Sequence, residues 1–214
     1  MAERFACART YERLYRLGYH ARKDYTHART ICERVADGRL PAISALDVGC
    51  STGWAVRRLG ELGVQATGID VAATAVRRGR AAGLDLHQAS ATSLPFDDGA
   101  FELVMSTDCF EHLHPDDVQA AVAEAVRVSS RWLALKINPR RDRNRWWRFL
   151  AGSPLHLTTR PLAWWVERFE QAGAELVELD GTEEELILRV RSDEPAGSVP
   201  AAVDADEATV RASA

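Results

Sequence analysis

The first residues of this 214-residue chain that could do chemistry are in LDVGCSTGW (46–54). An apolar run ends at Asp47 and passes through a glycine-bounded turn, Gly49-Cys50-Ser51-Thr52-Gly53, into a helical pattern. Glycines there let backbone approach a ligand at the C-terminal edge of a strand, where open α/β sheets bind their ligands. The second feature is Asp70 in TGIDVA (67–72). A carboxylate at the end of the next strand can accept hydrogen bonds from both hydroxyls of a ribose. A dinucleotide is disfavoured, because Ser51 and Trp54 stand where the second and third glycines of G-x-G-x-x-G would be. No G-x-x-x-x-G-K-[ST] occurs, which argues against a nucleoside triphosphate.

These residues must be positioned by an alternation of strands and helices. Short apolar runs at 42–48, 65–71, 84–90, 100–107 and 131–137 read as strands. Helical periodicity fills 54–63, 73–83 and 118–129. The rhythm predicts an α/β fold with a mostly parallel sheet covered by helices on both faces. Residues 8–37 read as one N-terminal helix, with Tyr11, Tyr15 and Tyr19 on one face at a spacing of four. Helix 160–173 and two runs around Asp180-Gly181 predict a helix and a closing antiparallel hairpin. The expected organisation is a helical cap over 1–38, a main domain over 39–191 with an insert at 138–160, and a disordered tail over 192–214.

LDVGCSTGW, TGIDVA, SLPFDDGAFELV and STDCFEHL occur in the order seen in class I S-adenosylmethionine-dependent methyltransferases, and over residues 43–137 the chain resembles that family, in its small-molecule group. The resemblance implies a Rossmann-like sheet with a C-terminal antiparallel strand and S-adenosylmethionine as cofactor. It implies that Gly49, Cys50, Ser51 and Gly53 line the methionine part and that Asp47 helps hold the amino group. Asp70 would bind the ribose and Val71 would pack on adenine. Ser90, Ala91, Thr92 and Leu94 would lie near the ring, and Ser106 and Thr107 near the sulfonium. Ser90 replaces the family's frequent aspartate, which weakens that adenine contact.

Methyl transfer from a sulfonium is a displacement on an activated donor, so rate comes from positioning the nucleophile. A hydroxyl or protonated amine also needs a base. His156 in SPLHLTT is the preferred base and His112 the second, each with the competing role of holding its loop. His20 and His27 are weaker candidates. Glu111-His112 is expected chiefly to orient its loop and cap the next helix. Asp108, Glu111 and His112 could instead hold a divalent ion, with His114 or His156 as a further ligand; the expectation is that no metal is used. The insert combines Arg140, Arg141, Arg143, Arg145 and Arg148 with Trp146 and Trp147. It is either a solvated basic lid or, with Trp164, Tyr15 and Tyr19, an acceptor wall.

A net charge of −4 calls for no nucleic acid or anionic membrane. Four cysteines without a CxxC pair fit reduced thiols. No leader-like apolar run is present near the start, so a cytoplasmic monomer or homodimer is expected. The expected activity is methylation of an oxygen or nitrogen of a small molecule: a secondary metabolite, a sugar or a glycan precursor. The alternatives are an RNA methyltransferase, which the Arg/Trp insert would suit, and a non-catalytic cofactor-binding scaffold.

Overall fold

A computed structural model of the chain describes residues 4–19, 26–141, 145–152, 154–180 and 184–191. The expected tail at 192–214, the turn at Gly181, and His20 lie outside the described residues. So do the side chains of His27, Trp147, Arg143, Arg145 and Arg148.

In chain order the elements are α1 (Arg4–Arg16), α2 (Thr26–Ala36), β1 (Ser44–Val48), α3 (Trp54–Glu61), β2 (Gln65–Asp70), α4 (Ala73–Ala81) and β3 (Leu86–Gln88). There follow β4 (Phe101–Thr107), a 3-10 turn (Phe110–His112), α5 (Pro115–Val128), β5 (Ser129–Lys136), α6 (Arg145–Ala151), α7 (Leu162–Gln171), β6 (Ala174–Asp180) and β7 (Glu185–Val190). The sheet order is β3-β2-β1-β4-β5-β7-β6. β1 to β5 run parallel, and β7 is antiparallel to both β5 and β6. This is the Rossmann-like sheet of class I methyltransferases with its antiparallel C-terminal pair.

Strand alternation decides which residues meet which helices. Leu46 and Val48, Val104, and Leu133 and Leu135 face one way, onto Val118, Ala121, Val122 and Ala125 of α5 and Trp165 and Phe169 of α7. Ala45, Leu103 and Met105, and Trp132 and Ala134 face the other way, onto Ile31 and Cys32 of α2 and Ala55 and Leu59 of α3. Both faces of the central strands are therefore dry, which is why these segments read as continuous apolar runs. Each large side chain fully buried this way contributes roughly 1.5–3 kcal/mol.

Two boundaries differ from the sequence reading. The single N-terminal helix is two helices with a turn after Arg16, and Gly18 adopts φ 89° there, a conformation glycine takes without a Cβ penalty. The strand expected over 84–90 is only Leu86–Gln88, because Ser90 and Thr92 close a side-chain-bonded turn in which their hydroxyls are 2.8 Å apart.

α1 is fastened to the domain by a borrowed helix cap. The residue before α4 is Ala72, which has no side-chain cap to offer. Glu12 supplies it: its carboxylate accepts from the Thr74 amide at 2.9 Å and the Thr74 hydroxyl at 2.6 Å. A negative charge there also suits the positive end of the helix dipole. Burial raises the Glu12 pKa, but the two Thr74 bonds and Arg16 outweigh it, and the net direction is down.

Two further carboxyls sit below their ordinary value of 4.5: Glu124 through its hydrogen bonds to Arg127, and Glu178 through those to Arg34. A carboxyl depressed in the folded state stabilises it fully above the unfolded value and loses that contribution as pH falls through the folded value. The melting temperature is therefore expected to decline as pH falls below about 4.5, and less steeply in Glu124→Gln. A melting temperature constant down to about pH 3 would contradict this coupling.

Candidate active site

β1 has β2 on one side and β4 on the other, so the loops leaving β1 depart from the point where the strand order reverses. Such a switch point opens a crevice at the strand C-termini. Two backbone constraints shape it. Gly49 has φ 82°, and a Cβ there would lie 2.6 Å from Cys109 Sγ, so the loop after β1 packs directly on the loop after β4. Ser51 and Asp108, both non-glycine, hold φ 56° and 50°. Left-handed residues cost about 1–2 kcal/mol each, and Ser51 is held by a bond from its amide to Asp70 Oδ2 at 2.9 Å. Asp70 Oδ1 accepts from the Ala72 amide at 2.8 Å. Two amide donors thus fix the orientation of a carboxylate that is only 7% exposed.

A cavity enclosing about 830 Å³ of empty space, part of it open to solvent, lies above this carboxylate. Gly49, Asp70, Val71 and the turn Ser90, Ala91, Thr92 line it. Tyr11, Tyr15 and Tyr19 of the N-terminal segment, with His112, Leu113, His114 and Asp117, line it too, Tyr15 on the side of Asp70. Tyr11 meets His112 edge to face at 5.6 Å, and Tyr15 meets Tyr19 at 5.6 Å. Tyr15 is buried, and burial together with the Asp70 charge pushes its phenol well above its ordinary value. It therefore remains a neutral donor throughout the physiological range.

The sequence-derived candidates divide into two groups. Gly49, Asp70, Val71, Ser90, Ala91, Thr92, His112, Tyr15 and Tyr19 reach the cavity. The side chains of the others serve the frame. Cys50 packs down among Val56, Val76 and Leu86. Ser51 acts through its amide on Asp70, and Gly53 caps α3 with φ 85°. Asp47 is buried, and its charge adds to burial in pushing the Cys32 thiol up to about 12, which places it toward α2. Ser106 donates to the Val48 carbonyl at 2.7 Å and ties β4 to β1; Thr107, also buried, does not line the cavity. Leu94 lies in the α5 core, its amide donating to Glu124.

Trp146 and Trp164, read as part of an acceptor wall, are not among the residues that line this cavity. Trp164 packs between the guanidinium groups of Arg160 and Arg168 against Trp165, not in the cavity. Trp146 is 56% exposed on α6 beside Phe149. α6 instead serves α1, where Leu150 and Ala151 join Leu155 around Leu14. His156 does not line the cavity either; it stacks edge to face on His112 at 4.8 Å. The helix cap assigned to Glu111-His112 belongs to His114, whose Nδ1 accepts from the Asp116 amide at 3.4 Å. Asp108, Cys109 and Asp117 line the cavity without having been singled out as acceptor residues. Their signal was positional: two follow the end of β4 and one lies in the first turn of α5.

The loop carrying His156 is bound to the 3-10 turn. The amides of Leu157 and Thr158 donate to the Glu111 carbonyl at 2.9 and 3.0 Å. Thr158 Oγ1 donates to the Leu113 carbonyl at 2.8 Å. His112 Nδ1 lies 2.9 Å from the Leu155 carbonyl and His156 Nδ1 lies 2.6 Å from the Arg140 carbonyl. A carbonyl can only accept, so each Nδ1 carries the proton, and in the neutral rings Nε2 holds the lone pair.

Comparison with known proteins agrees with this fold. Residues 46–131 match the family described as a methyltransferase domain. A fatty-acid O-methyltransferase of Mycolicibacterium smegmatis is 32% identical over 123 residues, which cover 54% of this chain and 44% of that protein. The matched segment thus spans less than half the length of that curated relative. Among solved structures, the Burkholderia thailandensis 1,6-didemethyltoxoflavin N1-methyltransferase, bound to S-adenosylhomocysteine, aligns with a TM-score of 0.66 at 15% identity over 87% of this chain and 88% of its own. The magnesium protoporphyrin IX methyltransferase of Synechocystis PCC 6803 aligns with a TM-score of 0.60 at 19% identity, over 78% of this chain and 82% of its own. Among the described residues no helix is long and apolar enough to cross a membrane.

Proposed function

Since this chain has the fold of the class I S-adenosylmethionine-dependent methyltransferases, we propose that it binds S-adenosylmethionine and transfers its methyl group to an oxygen or nitrogen of a small molecule. The observation that carries the reading is the single cavity in which the Asp70 carboxylate and the Ser90–Thr92 turn share space with His112 and the α1 tyrosines. Cofactor and acceptor ends are therefore continuous. The donor set fits the cofactor: a preoriented carboxylate for ribose hydroxyls, apolar Val71 and Ala91 for a purine face, and a close glycine turn for the methionine part.

When bound, the cofactor supplies an electrophilic methyl group. The chain supplies placement and exclusion of water. Tyr11, which meets His112 edge to face, and Leu113 wall the acceptor end, and their apolar surface suits an acceptor with a hydrophobic body. His112 offers Nε2 as the lone-pair nitrogen for the acceptor proton, because Leu155 fixes its tautomer. His156 supports that ring from behind. The fatty-acid O-methyltransferase likeness supports an oxygen acceptor.

Titration calorimetry of the purified protein with S-adenosylhomocysteine tests the cofactor assignment, with NAD as control. We expect saturable one-to-one binding of the first and none of the second. No heat with S-adenosylhomocysteine, or equal binding of NAD, would remove the assignment.

A further inference from the structure

Glu111, His112 and His156 each present one metal-ligating atom within 4.8 Å of the other two. They come from different segments: the 3-10 turn after β4 and the loop after α6. We infer that these three residues hold a divalent transition-metal ion beside the cavity, with His112 the ligand that also lines it. The inference rests on the methyl-transfer reading for its purpose but not for its chemistry.

Three observations support it. Metal-bound histidines nearly always donate the other ring N–H to a carbonyl or carboxylate, which fixes ring and tautomer. Both imidazoles do this, His112 to the Leu155 carbonyl and His156 to the Arg140 carbonyl. Glu111 is fully buried, and its Oε1 accepts from the Asn138 amide at 3.2 Å, which orients the carboxylate. Finally, the loop bearing His156 is fastened to the Glu111 backbone by two amide bonds, which hold the third ligand's loop against the segment that carries the first two.

Two imidazoles and one carboxylate suit zinc, iron, cobalt or nickel rather than magnesium or calcium, which favour all-oxygen sites. Ligand bonds of about 2.0–2.2 Å put tetrahedral ligand atoms about 3.3–3.6 Å apart, so any pair near the 4.8 Å limit must draw together on binding. The set differs from the one the spacing suggested: His156 joins Glu111 and His112, while Asp108 and His114 do not. Three protein ligands leave positions open for an acceptor oxygen, which the ion would orient and acidify. In that arrangement His112 acts as a ligand, and the ion takes over the task of lowering the hydroxyl pKa.

The test is addition of Co(II) to untagged, chelator-dialysed full-length protein, read by visible d–d absorbance, with S-adenosylhomocysteine affinity measured on the same samples. We expect one Co(II) per chain, displaced by Zn(II), and binding weakened at least about 10-fold in both His156→Ala and Glu111→Gln. His87→Ala, which removes an exposed histidine beside Asp85, should bind as the parent does. His156→Ala keeps the test open if the buried Glu111→Gln fails to fold, and it should keep its S-adenosylhomocysteine affinity. Absence of d–d bands, unchanged binding in His156→Ala, or loss in His87→Ala would overturn the site. The cofactor assignment is judged separately, by S-adenosylhomocysteine and NAD binding, whatever Co(II) does.

Discussion

Asp70→Ala is expected to weaken S-adenosylhomocysteine binding by at least about 100-fold, the largest loss of any cofactor-site substitution. The carboxylate is the charged acceptor at the cavity floor, and hydrogen bonds to charged groups contribute about 1.5–3 kcal/mol each. Two ribose hydroxyls thus account for roughly 3–6 kcal/mol. The same oxygens brace the Ser51 and Ala72 amides, so truncation also loosens the strained turn at Ser51. Asp70→Asn keeps the side-chain shape and one acceptor oxygen but turns an NH2 toward one of the two braced amides, so its melting temperature should also fall while affinity drops. Affinity equal to the parent's in both variants would place the ribose elsewhere and remove Asp70 from the cofactor site.

Arg34→Met is expected to lower stability by about 3 kcal/mol, a fall in melting temperature of roughly 6–12 °C, without changing the cavity. The Arg34 side chain is 9% exposed and bonds Glu185, itself 2% exposed, through Nε and Nη2 at 3.2 and 3.1 Å. It also forks onto Glu178 at 2.9 and 2.6 Å. These contacts tie α2 to the β6–β7 hairpin across more than 140 residues of chain. Removing the cation leaves a buried carboxylate short of compensation, and that desolvation sets the cost more than the lost attraction does. The double variant Arg34→Met/Glu185→Leu should regain most of the loss, because an apolar pair of similar volume carries no buried charge. A melting temperature within 2 °C of the parent in the single variant, an effect of under about 1 kcal/mol, would show that the pair is not a fastening.

Both predictions depend on features that the sequence revealed unequally. The parallel core was legible because strands dry on both faces leave unbroken apolar runs, as at Ala45–Val48 and Leu133–Ile137. The cofactor end was legible because Gly49 and Asp70 act from the ends of adjacent strands, where position along the chain implies position in the crevice. The hairpin of β6 and β7 was also readable, from two alternating runs around a turn.

Long-range partners were not readable. Arg34 looked like one more surface arginine on a helix, and only the placement of β7 beside β5 brings Glu185 beneath it. Trp164 and Trp146 looked like an acceptor wall, because a tryptophan in sequence does not declare which side of its helix meets the core. α7 turned Trp165 inward and left Trp164 between two arginines. His156 was picked out by residue type, but its distance from the cavity and its contact with His112 follow from the folding of the 155–158 loop onto Glu111. By itself the sequence determined the elements whose burial follows a local period, and the glycine and carboxylate at strand ends. The tertiary structure alone decided which side chains from distant segments converge, because those contacts depend on strand order and helix rotation, and neither leaves a local periodic signal.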